Sequence, residues 1–243
     1  MNRLSKLSFS ILSLLIVLFL GFSSAQAQDW ELLWSYDVST DAGVGQAGSE
    51  TDGTYIYTTF WASGNFAKYD LDGNWIETFT VPGVTGIRDL AYDGTYFYGS
   101  NAAGLGSIYG MDFTTQTLIS TIPASADGVR SISYDSDNDA FWCANWSTDL
   151  VRINRDGSIG ATIAAATHGV VSIYGSAYDN ISEGGPFLWL HSQGYETSAS
   201  AIVQIDLETG TQTGIWHDAM LDAGLDIPDG MAGGLFNSVD LNP

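Results

Sequence analysis

Four aspartates stand at matching places along the chain: Asp52, Asp93, Asp135 and Asp179, separated by 41, 42 and 44 residues. A catalytic acid is seldom repeated at one place in every unit of a protein. A turn residue is, because the short Asp side chain accepts hydrogen bonds from amides just ahead of it. These four are therefore read as turn formers. Asp135, Asp137 and Asp139 place three carboxylates at alternate positions, a spacing that suits calcium. A helix–loop–helix calcium loop also needs Gly at its sixth position and an acid at its twelfth. Ala140 and Trp146 stand there instead. No cofactor is expected, with calcium at these three carboxylates as the alternative. His168, His191 and His217 lie in separate contexts and read as packing or surface residues. No Gly-x-Ser-x-Gly elbow, paired-His zinc motif or phosphate loop occurs. Cys143, the only cysteine, lies in the apolar run Ala140–Ala144 and reads as a small buried hydrophobe.

Two basic residues have a sharper pattern. Arg88 and Arg130 each lie five residues before their aspartate, where the other units have Ala47 and Tyr174. One reading is a pair of structural salt bridges, with Asp89 and Asp127 as partners. The other is recognition of a carboxylate or other anion by guanidinium forks. Aromatic residues punctuate the segments expected to be loops at the same level: Trp61, Trp146 and, within 193–200, Tyr195. A further such segment is 102–107. These rings either tuck between structural units or offer a surface to a sugar face or a peptide. The candidate binding rim is Arg88, Arg130, Trp61, Trp146 and Tyr195.

Composition narrows the partners. The chain has 243 residues, 45% of them hydrophobic and 14% charged, against roughly 25% charged in an average soluble domain. A core can form. Acids outnumber bases 28 to 7, for a net charge of −21. That balance argues against a nucleic-acid partner, since phosphate binding needs a basic surface. Asp outnumbers Glu by 22 to 6, which marks much of the charge as turn chemistry. Arg3 and Lys6 precede an apolar run over 11–20, and Ala25-Gln26-Ala27 offers a small-x-small cleavage site. Residues 1–27 are read as a signal peptide, with a membrane anchor as the alternative. The remainder, 28–243, keeps five bases against all 28 acids, a net charge of −23. It is expected to be secreted or held at the cell surface, with no membrane span after cleavage.

Stepping along the chain reveals the elements that must position these residues. Each aspartate is followed by an aromatic strand: Tyr55-Ile56-Tyr57, Tyr96-Phe97-Tyr98, Phe141-Trp142 and Phe187-Leu188-Trp189. A third landmark ends in Asp70, Asp112, Asn154 or Asp206. Turns such as Asp72-Gly73, Asp156-Gly157 and Thr209-Gly210 then lead to a last strand. Four short antiparallel strands at a period of 40 to 45 residues predict a β-propeller blade. A β-sandwich or two small sheets are the alternatives. Trp30–Val38 fits a last strand by spacing, and Ala232–Asn237 begins a weaker fifth copy. About five blades are therefore expected, the closing one incomplete, with the natural chain continuing past Pro243. One helical turn is expected within His217–Leu225.

Trp34-Ser35-Tyr36-Asp37-Val38, Arg88-Asp89-Leu90-Ala91-Tyr92-Asp93-Gly94, Tyr174-Gly175-Ser176-Ala177-Tyr178-Asp179-Asn180 and Ala232-Gly233-Gly234-Leu235-Phe236 together resemble secreted bacterial β-propeller repeat proteins of the Bacteroidetes type. Members often carry a C-terminal sorting domain for type IX secretion. The resemblance covers residues 30–238 and implies fold and export, but no chemistry. The function expected is an exported, non-catalytic binding module for a carbohydrate, a peptide or another anionic ligand. One alternative is a metal-dependent hydrolase of the propeller-lactonase type, with Glu50, Asn101 and Asn145 gathered at a channel mouth. Another is a structural spacer that presents a further domain.

Overall fold

The strand that follows each repeated aspartate is buried along most of its length, which explains why the sequence shows apolar runs there rather than alternation. The computed structural model describes residues 35–103 and 105–222. These residues form four antiparallel sheets of four strands, each in sequence order. Blade 1 holds β1 (Gln46–Thr51), β2 (Ile56–Phe60), β3 (Asn65–Tyr69) and β4 (Trp75–Thr80). Blade 2 holds β5 (Leu90–Tyr92), β6 (Phe97–Gly99), β7 (Leu105–Asp112) and β8 (Thr117–Asp127). Blade 3 holds β9 (Ser131–Asp135), β10 (Ala140–Ala144), β11 (Leu150–Asn154) and β12 (Ile159–Ile163). Blade 4 holds β13 (Ile173–Asp179), β14 (Phe187–Ser192), β15 (Ala201–Asp206) and β16 (Gln212–Asp218). The first strands adjoin in order, β1 beside β5, β5 beside β9 and β9 beside β13. This is the arrangement of a β-propeller.

The core lies between blades. Tyr57, Phe66, Phe79, Phe97 and Phe113 fill the space between blades 1 and 2. Tyr98, Ile132 and Phe141 belong to the next cluster, and Trp142, Ile173 and Leu188 to the one after it. Consecutive strand residues point to opposite faces. Phe97 and Tyr98 thus serve different clusters, as do Phe141 and Trp142.

The four repeated aspartates build the turn after each first strand, as their spacing predicts. Asp52 Oδ1 accepts the amides of Thr54 and Tyr55 at 2.8 and 2.7 Å. Asp93 accepts those of Thr95 and Tyr96, Asp135 those of Asp137 and Asn138, and Asp179 those of Ile181 and Ser182. Their second oxygens accept from the following strand: Tyr57 Oη on Asp52, Trp142 Nε1 on Asp135, Trp189 Nε1 on Asp179. Asp93 bonds Tyr98 of the following strand and also receives Arg155 Nη2 of blade 3 at 2.8 Å.

One residue reaches the first strands of all four blades. Asp89 is fully buried, and its Oδ2 accepts Ile132 N at 3.0 Å and Ser176 N at 3.2 Å. Its own backbone lies against Gly48 of β1, where a Cβ would come within 2.4 Å of Asp89 Cα. Unpaired strand-edge amides need acceptors, and this carboxyl supplies one to two blades at once.

Some expectations are corrected at the edges. Residues 35–38, the described part of the proposed strand Trp30–Val38, form no strand and lead into a helical turn, α1 (Ser39–Ala42). Tyr36 instead covers the Asp72-Gly73 turn and donates its hydroxyl to Leu71 O at 3.1 Å. Gly73, with φ of 79°, leaves the space that the Tyr36 ring occupies. The segment 102–107 is not one loop, because β7 begins at Leu105. A second turn, α2 (Ala165–His168), joins blades 3 and 4, and a third, α3 (Ala219–Asp222), lies within the expected 217–225. Residues 1–27 and the fifth copy at 232–237 lie outside the described residues.

Candidate functional site

The rim arginines are set by the ladder between the first two strands of their blades. Arg88 N donates to Ser100 O at 3.0 Å, and Arg130 N donates to Ala144 O at 2.8 Å. Each bond extends that ladder just before β5 or β9. The two side chains therefore emerge at equivalent places in adjacent blades. The Arg88 guanidinium lies over Trp61, 5.1 Å from the ring centroid. That of Arg130 sits in the angle between Trp146 and Tyr174, at 4.8 and 5.2 Å. Arg130 Nε donates to Asn145 Oδ1 at 3.3 Å. Burial lowers the proton affinity of Arg130, and the neighbouring charge of Arg88 lowers it further. Two like charges are thus held close together.

Neither arginine forms an ion pair with a described carboxylate. The ion pairs among the described residues are Arg152–Asp135, Arg155–Asp93 and Arg155–Asp139. Asp89, the expected partner of Arg88, is turned inward onto the amides of β9 and β13. The Asp127 side chain lies outside the described ones. Arg88 Nε is buried without a hydrogen-bond partner.

The rings are presented on stiff backbone. Trp61 and Trp146 are each 46% exposed. Trp146 has φ of 54°, a left-handed conformation that bulky residues seldom adopt. Ile173 N holds Trp146 O at 2.8 Å, Asn145 N donates to Thr148 Oγ1, and Thr148 N returns to Asn145 O. Ala102 adopts the same conformation in blade 2, with φ of 60°. The loop geometry therefore recurs, whereas the tryptophan on it does not.

Tyr195 is not brought into this group. A tight turn, with Ser198 N donating to Tyr195 O at 2.9 Å, folds the ring back. Its hydroxyl donates to Gln212 Oε1, and the ring meets Trp216 edge-on at 5.5 Å. Tyr174 takes the place instead, 5.3 Å from Trp146. It stands in the same column as Arg88 and Arg130, five residues before Asp179. That column was the signal that could have found it.

The proposed metal ligands do not converge. Asp139 Oδ1 receives Arg155 Nε and Nη2 at 2.9 and 2.7 Å, and Tyr134 Oη. Asp137 receives Tyr178 Oη at 2.8 Å and Asn180 Nδ2 at 2.9 Å, while Asp135 serves its turn and Trp142. The residues present thus do not fit calcium. Glu50 lies opposite Tyr57, beside the turn made by Asp52. Asn101 and Asn145 follow the other ends of β6 and β10, so these three residues are on opposite rims. No cluster of three His, Cys, Asp or Glu placed for a metal occurs among the described residues. Burial raises the Glu50 carboxyl to about 8, against the pull of the Thr51 and Tyr92 amides.

The remaining titratable candidates are packed. His168 is buried, with Nδ1 accepting Val170 N and Nε2 facing Thr148 O. His191 Nε2 lies 2.9 Å from Ser200 Oγ, and His217 packs beside Trp189. Burial raises the Cys143 thiol. A groove of about 590 Å³ lies between blades 3 and 4, lined by Trp142, Arg152, Tyr178 and Leu207 among others. It shares no residue with the arginine rim.

No protein-family model and no curated protein matches the chain. Among solved structures, glutaminyl cyclase of Myxococcus xanthus is similar at a TM-score of 0.62 and 16% identity, over 80% of this chain and 82% of that one. Hydrazine synthase of Kuenenia stuttgartiensis gives 0.49 at 15%, over 77% and 51% of the two chains. Virginiamycin B lyase of Staphylococcus aureus gives 0.48 at 15%, over 79% and 60%. This chain spans little more than half the length of the last two. The first likeness shows the β-propeller fold and nothing of the chemistry.

Proposed function

We propose that this chain is an exported, non-catalytic binding module that takes an anionic ligand on the rim formed by Arg88, Arg130, Trp61, Trp146 and Tyr174. The observation that carries the reading is that neither rim arginine forms an ion pair among the described residues. In a chain of net charge −21, Arg152 and Arg155 each have a carboxylate, whereas the two rim arginines have rings. Like charges held together with no counter-ion among the described residues favour a bound anion. The guanidinium faces lie on aromatic rings, which leaves in-plane N–H groups to bind it. Export rests on the leader-like segment 1–27 and on the resemblance to secreted propeller repeats.

Two experiments test the reading. A panel of carboxylated, sulfated and neutral glycans and acidic peptides is measured by biolayer interferometry. An anionic member should bind, and the Arg88→Ala/Arg130→Ala pair should weaken it at least tenfold, since a charged hydrogen bond contributes about 1.5–3 kcal/mol. Equal binding by a folded double variant would make the arginines structural. Expression with residues 1–27 in an export-competent host should give secreted protein that begins at or next to Gln28. An intact Met1 on exported protein would overturn the cleavage, and protein retained in the cytoplasm would overturn the export.

A further inference from the structure

We infer that the rim ligand is a sparsely charged acidic saccharide, with a uronate carboxylate on the guanidiniums and a sugar face on the indoles. This rests on the anion-binding reading above and narrows it to one ligand class.

The anion is constrained by what Arg130 has left to offer. Its Nε is engaged by Asn145, and its Cζ lies against Trp146 and Tyr174. Its Nη groups meet no acceptor among the described residues. They form an end-on fork, and the two coplanar oxygens of a carboxylate match such a fork better than a tetrahedral sulfate does.

The body of the ligand is constrained by the rings. Trp61 and Trp146 each leave nearly half their surface open, the first beside Arg88 and the second beside Arg130. A flat, half-open indole suits the C–H face of a pyranose. An apolar peptide side chain needs an enclosed pocket, and the described groove lies elsewhere, between blades 3 and 4. The bond from Ile173 N to Trp146 O and those between Asn145 and Thr148 fix the backbone that carries this ring before any ligand arrives.

The charge of the whole chain sets the density of charge on the ligand. A net −21 repels a densely sulfated polymer over a Debye length of about 8 Å in physiological salt. One carboxylate per sugar, or fewer, meets two local cations without a long stretch of repelled charge.

The test is isothermal titration of the protein with trisaccharides of galacturonate, glucuronate and mannuronate. The controls are their methyl esters, a sulfated disaccharide and an acidic hexapeptide. At least one uronate should bind, its ester at least tenfold more weakly. Trp146→Asn, which tolerates the left-handed backbone, should weaken binding at least fivefold at an unchanged melting temperature. Its indole resonance in the wild type should shift on titration. If the sulfated sugar or the peptide binds while no uronate does, the saccharide assignment falls and the anion site stands. Binding of an ester as tightly as its acid also overturns the inference. If no anion in the panel binds, both readings fail together.

Discussion

Trp146 combines three properties that packing alone does not call for: a left-handed backbone, a half-exposed ring and contact with a cation. A strained bulky residue of this kind commonly marks a working surface. Trp146→Asn should therefore leave the melting temperature within about 2 °C of wild type, which is under about 1 kcal/mol for a chain of this size. Differential scanning calorimetry checks this, and a fall of several degrees would assign Trp146 to structure. Arg155 is the opposite case. It joins Asp93 of blade 2 to Asp139 of blade 3 and lies over Tyr98, Tyr134 and Phe141. Arg155→Met should destabilise the fold by about 1–3 kcal/mol in urea unfolding and leave rim binding unchanged. Burial pushes the Asp93 carboxyl up, but the Tyr96 amide and Arg155 outweigh it and hold it below 3.8. The Arg155 bond does the same for Asp139. Both contributions are present above pH 3.8 and are lost as the pH falls below it.

At the scale of the strand and turn, most of the architecture was legible. The aspartates predicted their turns because each side chain completes its turn locally, with partners two and three residues on. The aromatic pairs after them predicted strands, and the structure buries those strands along most of their length. The expected strand Trp30–Val38 misled over its described part, 35–38, for a matching reason: spacing gives distance from an anchor, but strand formation needs a neighbour. The Val38 carbonyl instead accepts the Gln46 side chain at 2.9 Å, ahead of α1. Column position likewise brought Arg88 and Arg130 together and would have included Tyr174. It could not show that a four-residue turn folds Tyr195 back onto Trp216. Nor could it show that Asp89 turns inward, since that contact spans 87 residues to Ser176. Gly48 permits the approach of blades 1 and 2 at this point. Gly48→Ala should lower stability by more than about 2 kcal/mol, as an overpacked core does. Thermal unfolding checks this, and an unchanged melting temperature would contradict the close approach.

For the molecule as a whole, charge and burial set opposing trends. Glu50 is raised from 4.5 to about 8, chiefly by burial, and Asp89 is raised in the same direction by the same cause. A carboxyl raised on folding stabilises most below its unfolded value, and that stability is lost as pH rises toward the folded one. With the Asp93 and Asp139 contributions lost at low pH, the melting temperature should peak near pH 4–5 and decline toward pH 8. Glu50→Gln should flatten the decline, and an unchanged slope would show that Glu50 does not cause it. The net charge of −21 should also slow the approach of any anion at low ionic strength. Stopped-flow association of an anionic rim ligand should therefore speed up from 10 to 150 mM salt, and a steep slowing would show that the local cations govern approach. The position four residues before each anchor holds Gly48, Asp89, Ser131 and Gly175. Three small residues thus surround one acid that reaches the first strands of all four blades. Identical repeats could not build this centre: four copies of Asp89 would crowd it, and four glycines would leave two strand-edge amides without their acceptor. The blades are interchangeable in outline but not in order, so a circular permutant should preserve the assembly better than a shuffled or duplicated blade.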